Sequence, residues 1–270
     1  MEVNRSGYYR YTGQITTTKE SDIAENNMII EMKVIHKKYR RSYGTRRMSR
    51  ELRKKGYKAG RYKVRRMMRE NGIECKQRRG YRVTTMSQHS QPVAENKLDR
   101  NFTVSAPNKV WVADITYLWT LEGWLYIAAV VDLYSRRVVG WAAAEHMRSE
   151  LISDALRMAI FRRDPASGLM HHSDRGSQYV GSDYQSLLKQ WGIEVSMSRK
   201  GNCWDNAVME RFFGSLKSEW TDDERYLTRV QAKDDVVDYI EMFYNSDRLH
   251  STLGYVSPTE FETQTAGSFS

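Results

Sequence analysis

From Lys109 onward the chain passes through an ordered succession of apolar segments, and their order constrains the fold more than any other feature. "KVWVADITYLWT" and "GWLYIAAVVDLYSRRVVGWAAAEHM" read as two or three consecutive strands, with a hairpin turn at Leu121 to Gly123. "SELISDALRMAIFRR" has the spacing of an amphipathic helix and "LMHHSD" reads as a further strand. "SDYQSLLKQWG" is then a helix, "IEVSMS" a strand and "NAVMERFFGSLKSEW" a helix. Antiparallel strands followed by alternating strands and helices predict a mixed sheet flanked by helices, an α/β fold.

The segment before it has a different character. Asp22 is placed to cap a helix running to about Tyr43, with Ile23, Ile30 and Val34 at roughly helical spacing. "TRRMSRELRKKG" sets Met48 and Leu52 four apart and ends in Gly56; "RYKVRRMMRENG" groups Val64 with Met67 and Met68 and ends in Gly72. Two short basic helices joined by "GYKAG" predict a helix-turn-helix whose second helix enters the DNA major groove, with Arg61, Lys63, Arg65 and Arg66 as candidate contacts. A small basic bundle with a solvated face would carry the same pattern. The expected division is a small basic all-α region over 1–75, a linker over 76–108, and the α/β region over 109–270 with a C-terminal helical extension.

Charge follows that division. The net charge of +10 comes from 43 Lys and Arg against 33 Asp and Glu, but residues 1–100 hold 26 basic and 10 acidic side chains, leaving 17 and 23 for the rest. A concentrated positive field draws polyanions, so the first region is expected to bind nucleic acid or an anionic surface. The longest apolar run, Trp124 to Val131, is too short to cross a bilayer, and "MEVNR" has no signal-peptide pattern, so a cytoplasmic protein without a membrane partner is expected. Cys75 and Cys203 share no metal-ligand spacing, which excludes a zinc or disulfide framework built from the two.

Three carboxylates lie where ordinary core residues would be expected or where loops leave the sheet. In the first strand Val110, Val112, Asp114, Thr116 and Leu118 alternate with Trp111, Ala113, Ile115, Tyr117 and Trp119, and both faces read as buried. A carboxylate there needs donors, a cation or an edge position open to water. Asp174 follows a strand in "HHSDRGSQY", at the sheet end where α/β sites are commonly built, although turn chemistry alone also accounts for it. Glu210 shares a polar helical face with Asn206, Gly214 and Lys217, beside an apolar stripe of Met209, Phe212, Phe213, Leu216 and Trp220; taken singly it reads as an exposed residue. Clustered carboxylates repel one another unless divalent cations neutralise them, and magnesium suits such oxygen ligands. Two such ions support phosphoryl transfer. With a basic DNA-binding region, this chemistry points to phosphodiester cleavage or strand transfer.

Here the chain resembles the transposases of the DDE and retroviral-integrase superfamily, most closely the OrfB proteins of the bacterial insertion-sequence group called the IS-three family. The motifs are "YGTRRMSRELRKKGYKAGRYKVRRMMRENGI", "PNKVWVADITYL", "HHSDRGSQYVGSDY", "SMSRKGNCWDNAVMERFFGSLKSEW" and "YNSDRLHSTLGYVSP", with 35 residues between Asp174 and Glu210. The resemblance implies an RNase H-like catalytic core in which Asp114, Asp174 and Glu210 bind magnesium, with manganese as a substitute. It implies that Lys217 contacts DNA near the site, that copies assemble on paired element ends, and that an upstream-frame product acts as fusion or partner. The amino-terminal zinc-binding His and Cys pairs of retroviral integrases have no counterpart.

Other residues carry weaker signals. His171 and His172 alternate to opposite faces of one strand, so they read as structural, with His172 a candidate to support a metal ligand; Asn206 is a second such candidate. Cys203 and Trp204 either position substrate or pack. Asp132 ends a strand, Asp183 and Asp205 are expected to cap helices, and Glu219 lies off the Glu210 face. A DNA-binding regulator without catalysis and a plain magnesium-dependent nuclease are the competing functional readings.

Overall fold

A computed structural model describes residues 4–76, 94–199 and 203–268 of the chain, which forms two compact units, Met1–Gln77 and Arg78–Ser270. Most of the expected linker, 77–93, and the side chains of Cys203 and Trp204 lie outside the described residues.

The first unit contains helices α1 (Arg5–Lys38), α2 (Thr45–Lys54) and α3 (Arg61–Glu70). The first helix begins seventeen residues earlier than Asp22, because Asn4 already supplies a cap: its side chain accepts the Ser6 amide. Ile23, Ile30 and Val34 also differ from expectation, being more than half exposed, while Met28, Met32, Ile35 and Tyr39 are buried. Both sets have helical spacing. The buried set shares the interior of the unit with Met48 and Leu52 of α2 and Val64, Met67 and Met68 of α3, all of them buried. Between α2 and α3 the buried Ser49 hydroxyl and Arg53 Nε both donate to the Ala59 carbonyl, at 2.6 and 2.9 Å, which sets the turn.

The second unit is built on a five-stranded mixed sheet in the order β3-β2-β1-β4-β5. Its strands are β1 (Val110–Thr120), β2 (Gly123–Asp132), β3 (Val138–Ala144), β4 (Met170–Ser173) and β5 (Glu194–Met197). The hairpin strands pair antiparallel, β1 with β2 and β2 with β3; β4 joins β1 and β5 in parallel. Helices α4 (Ser149–Arg163), α5 (Ser177–Val180), α6 (Ser182–Gln190), α7 (Ala207–Leu216), α8 (Arg229–Val237) and α9 (Pro258–Thr265) complete the fold. On one sheet face Trp111, Ala113, Ala128, Val130 and Val139 pack against Leu151, Ala155, Leu156 and Ala159 of α4. Gly140 makes that approach possible, since a Cβ there would lie 2.1 Å from the Ala155 carbonyl oxygen.

Two expected caps are not caps. The N-cap of α6 is Gly181, and Asp183 sits in its first turn; α7 starts from Asn206 without a side-chain cap bond. Asp205 is instead fully buried and accepts from the Arg199 amide, Arg100 and Asn96. Burial pulls its carboxyl upward, but the hydrogen bond from the Arg199 amide, then Arg100 and the Arg199 guanidinium, hold it below the usual range. The end of α7 also changes pitch. Residues Lys217–Thr221 form a π-helical turn, closed by the Asp222 amide donating to the Lys217 carbonyl at 2.8 Å.

Candidate functional site

Strand register brings two of the three carboxylates together. In the parallel β1–β4 pair, Trp111 stands beside His171 and Val112 beside His172. Two residues further along each chain, just past the last residue of β4, the continuation of that register leads to Asp114 and Asp174. At that level β4 has ended, so β1 loses its neighbour and both side chains line a cavity of about 560 Å³ together with Ser177, Gln178 and Tyr179. Asp114 accepts the Ile115 amide and Asp174 accepts the Gly176 amide, each at 2.8 Å. A Cβ on residue 176 would lie 3.0 Å from the Asp174 carboxylate, so glycine leaves room for that acceptor.

The electrostatics register the crowding. Burial pushes the Asp114 carboxyl well above the ordinary carboxylate range, and the charges of Asp174 and Glu210 push the same way. The Ile115 amide and Lys217 oppose them. Glu210 projects from α7 with an exposed side chain, and partial desolvation raises its carboxyl. The helix is tied to β1 where the Asn206 amide nitrogen donates to the Ala113 carbonyl at 3.4 Å, one residue from Asp114. Among the described residues, no three His, Cys, Asp or Glu side chains already stand close enough to hold a metal ion. The structure thus places Asp114 and Asp174 side by side, with Glu210 within electrostatic reach but not converged on them.

The Tyr179 phenol oxygen, buried in the wall of this cavity, lacks a partner among the described residues, as does the buried amide oxygen of Asn206. Burial first, then Asp114 and Asp174, raise the Tyr179 phenol well above its usual value, so it stays protonated facing the carboxylates. Sequence reasoning passed over Tyr179; its only signal is its position in "SDRGSQY", five residues after Asp174. A repelling carboxylate pair beside an orphaned phenol suits a divalent cation and its coordinated water, so the residues present fit such a group.

Lys217 lies half-buried with its ammonium 5.0 Å from the Tyr117 ring centre. Burial lowers its pKa, opposed by Asp222 and Asp114. The two histidines are buried on opposite faces. His171 Nε2 is 3.0 Å from the Tyr184 hydroxyl; His172 bridges Ser196 and Ser198 at 2.8 and 3.1 Å. Burial lowers their pKa values to about 3 and about 4, leaving both rings neutral. Their hydrogen bonds join β4 to α6 and β5.

In the first unit, the four candidate DNA contacts divide into two pairs. Lys63 and Arg66 both reach back to Glu25 of α1, at 2.9 and 3.2 Å, and the Lys63 hydrogen bond is the main cause of a lowered Glu25 pKa. Arg61 and Arg65 are exposed and have no ion-pair partner among the described residues. Tyr62 stands between them, 85 % exposed.

A five-stranded mixed sheet flanked by helices, with Asp114 and Asp174 at the β1–β4 junction and Glu210 on α7 within electrostatic reach, is the arrangement of an RNase H-like polynucleotidyl transferase. Comparison with known proteins narrows this. Residues 104–203 and 210–266 match integrase core domain families, and residues 23–81 match an HTH-like domain. The chain is 40 % identical over 266 residues to the transposase InsF of insertion sequence IS3A from Escherichia coli K12, covering 98 % of this chain and 92 % of that one. It is 46 % identical over 260 residues to a 31 kDa protein of insertion element IS600 from Shigella sonnei, covering 96 % and 94 %. Among solved structures, the catalytic core of HTLV-2 integrase matches with a TM-score of 0.46 at 17 % identity, over 57 % of this chain and 96 % of that one. The chain belongs to the IS3-type family of insertion-sequence transposases with an integrase core, and is a DNA transposase of the DDE class. Among the described residues no helix is long and apolar enough to cross a membrane.

Proposed function

We propose that Asp114, Asp174 and Glu210 hold two magnesium ions, replaceable by manganese, and that the chain cuts the ends of its insertion sequence and joins them to new DNA. The observation that carries this reading is the register that sets Asp114 beside Asp174, with Glu210 adding to the charge that raises Asp114. When bound, the ions supply charge neutralisation at the reacting phosphate and lower the pKa of an attacking water. Asp114, Asp174 and Glu210 would provide the ligand oxygens. Asn206 positions α7 against β1, and Tyr179 offers a proton donor to an oxygen in the cavity. His172 steadies the end of β4, two residues before Asp174, through its two serines. Lys217 orients the DNA backbone near the scissile bond.

The chemistry proceeds in two displacements without a covalent protein intermediate. Water attacks the phosphorus at the element end, the 3′ oxygen leaves, and a 3′ hydroxyl is exposed. That hydroxyl then attacks a second phosphodiester, whose own 3′ oxygen leaves. The basic helical unit anchors DNA through Arg61 and Arg65, with Lys63 and Arg66 released from Glu25 as phosphates approach. Copies of the chain assemble on paired ends, and an upstream-frame product supplies further end recognition. Such work is done in the bacterial cytoplasm, at the nucleoid.

The test is joining of labelled element ends in magnesium. Wild type cuts and joins; Asp114→Asn, Asp174→Asn and Glu210→Gln each abolish both while binding DNA normally. A protein that cuts without joining is a nuclease, and one that does neither is a regulator. Near-normal cutting by any of the three variants removes that residue from the site. Calcium, with longer and more flexible coordination, sustains binding but little turnover.

A further inference from the structure

The β1–β2 hairpin ends in aromatic side chains that the described core does not cover. Its register sets Tyr117 opposite Tyr126 and Trp119 opposite Trp124. Tyr117 and Trp119 each meet Trp124 edge to face, at 4.9 and 4.7 Å between ring centres. Even so, Trp119 remains 58 % and Trp124 42 % exposed, beside an exposed Leu121. Two indoles left in water at the mouth of a cleft form a binding surface rather than core.

We propose that the Tyr117–Trp124–Trp119 face is a stacking site for an unpaired DNA base flanking the reacting phosphodiester. This rests on the assignment of Asp114 and Asp174 as the reacting centre and adds a ligand to it. Position supports it first. The cavity of about 560 Å³ that holds Asp114 and Asp174 and a second cleft of about 720 Å³ share Tyr117 and Trp124 as walls, so the aromatic face runs on from the carboxylates. Charge supports it second. Lys217 lines the second cleft with its ammonium over Tyr117, the wall shared with the first cavity, where a phosphate is attracted. Asp222 and Glu224 line the same cleft; they repel phosphate but accept hydrogen bonds from the exocyclic amino groups of cytosine and adenine. A nucleotide can therefore set its phosphate at Lys217, where the two cavities meet at Tyr117, and its base on the tryptophans. Aromatic walls combined with a cation are the usual means of holding unpaired strands. A second copy of the chain fits the same surface less well, because it would have to bury Lys217, Asp222, Glu224 and Arg225 along with the aromatics.

The experiment uses the full chain in calcium with two DNA hairpins, one fully paired and one whose flank carries three unpaired nucleotides including 2-aminopurine. Wild type binds the unpaired probe at least about fivefold more tightly and quenches its fluorescence. Trp119→Leu and Trp124→Leu bind the two probes equally and do not quench. Trp119 is the more exposed, so its variant keeps the fold if that of Trp124 does not. Absence of preference in wild type, or its persistence in both variants, overturns the proposal. Loss of self-association in the variants with the preference intact assigns the surface to a second copy, which also overturns it. Asp114→Asn run alongside separates the two readings: normal cutting by that variant in magnesium removes the carboxylate assignment and leaves the stacking result standing.

Discussion

Replacing Glu219 by alanine tests how the carboxyl end of α7 is held. Glu219 and Arg248 form a two-pronged ion pair, Nε to Oε2 at 2.6 Å and Nη2 to Oε1 at 2.7 Å, with side chains only 11 % and 6 % exposed. Burial alone would lower the Arg248 pKa, but the Glu219 carboxylate overrides it and raises it. After Glu219→Ala the guanidinium keeps Ser215 Oγ at 3.1 Å and the His250 ring at 3.2 Å, neither of which carries a compensating negative charge. Leaving one buried charge unpaired costs about 3–5 kcal/mol. For a unit of this size that lowers the melting temperature by roughly 6–20 °C. All seven tryptophans lie in the second unit, so tryptophan fluorescence during urea or thermal unfolding reports it without interference from the first. A double replacement, Glu219→Leu with Arg248→Met, removes both charges and should recover most of the loss. The reasoning is refuted if Glu219→Ala costs less than about 1 kcal/mol, the value expected of an exposed pair, or if the double replacement is as unstable as the single.

Glu25→Gln should free Lys63 and Arg66 from their ion pairs. Binding to arbitrary duplex DNA, followed by anisotropy against salt, should tighten and its log–log slope steepen by up to about two; an unchanged slope means these cations never reach phosphate. His171, buried and with its pKa lowered to about 3, binds its proton less readily folded than unfolded. The unfolded chain therefore takes up more protons below about pH 6.5, and stability falls as pH drops from there toward 3, by up to about 1.4 kcal/mol per pH unit. In His171→Gln the slope between pH 6.5 and 4.5 should shrink; an identical slope shows that other groups set it.

What could be read from the sequence follows the range of the interactions concerned. The strands and helices after Lys109 are legible because a period of two or of 3.6 is a local property, and Asp114 stands out as a carboxylate inside an apolar strand. Its neighbour does not: that Asp174 lies beside it depends on β1–β4 pairing across sixty residues, and only the family motif suggested it. The stripe of Ile23, Ile30 and Val34 shows why spacing alone misleads, since α1 carries a second stripe of equal regularity and packing chose that one. Asp183 and Asp205 occupy positions with the composition of caps, yet Asp205 is claimed by Arg100 and Arg199, a competition that no local window reveals. Lys63 and Arg66 looked like free cations because their partner is some forty residues away.

The same long-range logic gives "YNSDRLH" a purpose that its composition hides. Asn245 places its amide on both backbone groups of Val138, accepting the amide at 2.9 Å and donating to the carbonyl at 3.0 Å, and so occupies the start of edge strand β3. Three residues later Arg248 grips Glu219, inside the π-helical turn that opens with Lys217. One short segment thus joins the outer strand of the sheet to the end of the helix that carries Glu210. A π turn holds one residue more than an α turn allows and persists where surrounding contacts over-determine it. Here the buried Glu219–Arg248 pair and the Trp220 ring, stacked on Phe243 at 5.0 Å, supply those contacts. Lys217 is therefore set by the packing of the carboxyl-terminal segment as much as by its own helix. Changes at Arg248, far along the chain, act on Lys217 and the carboxyl end of α7 through that turn.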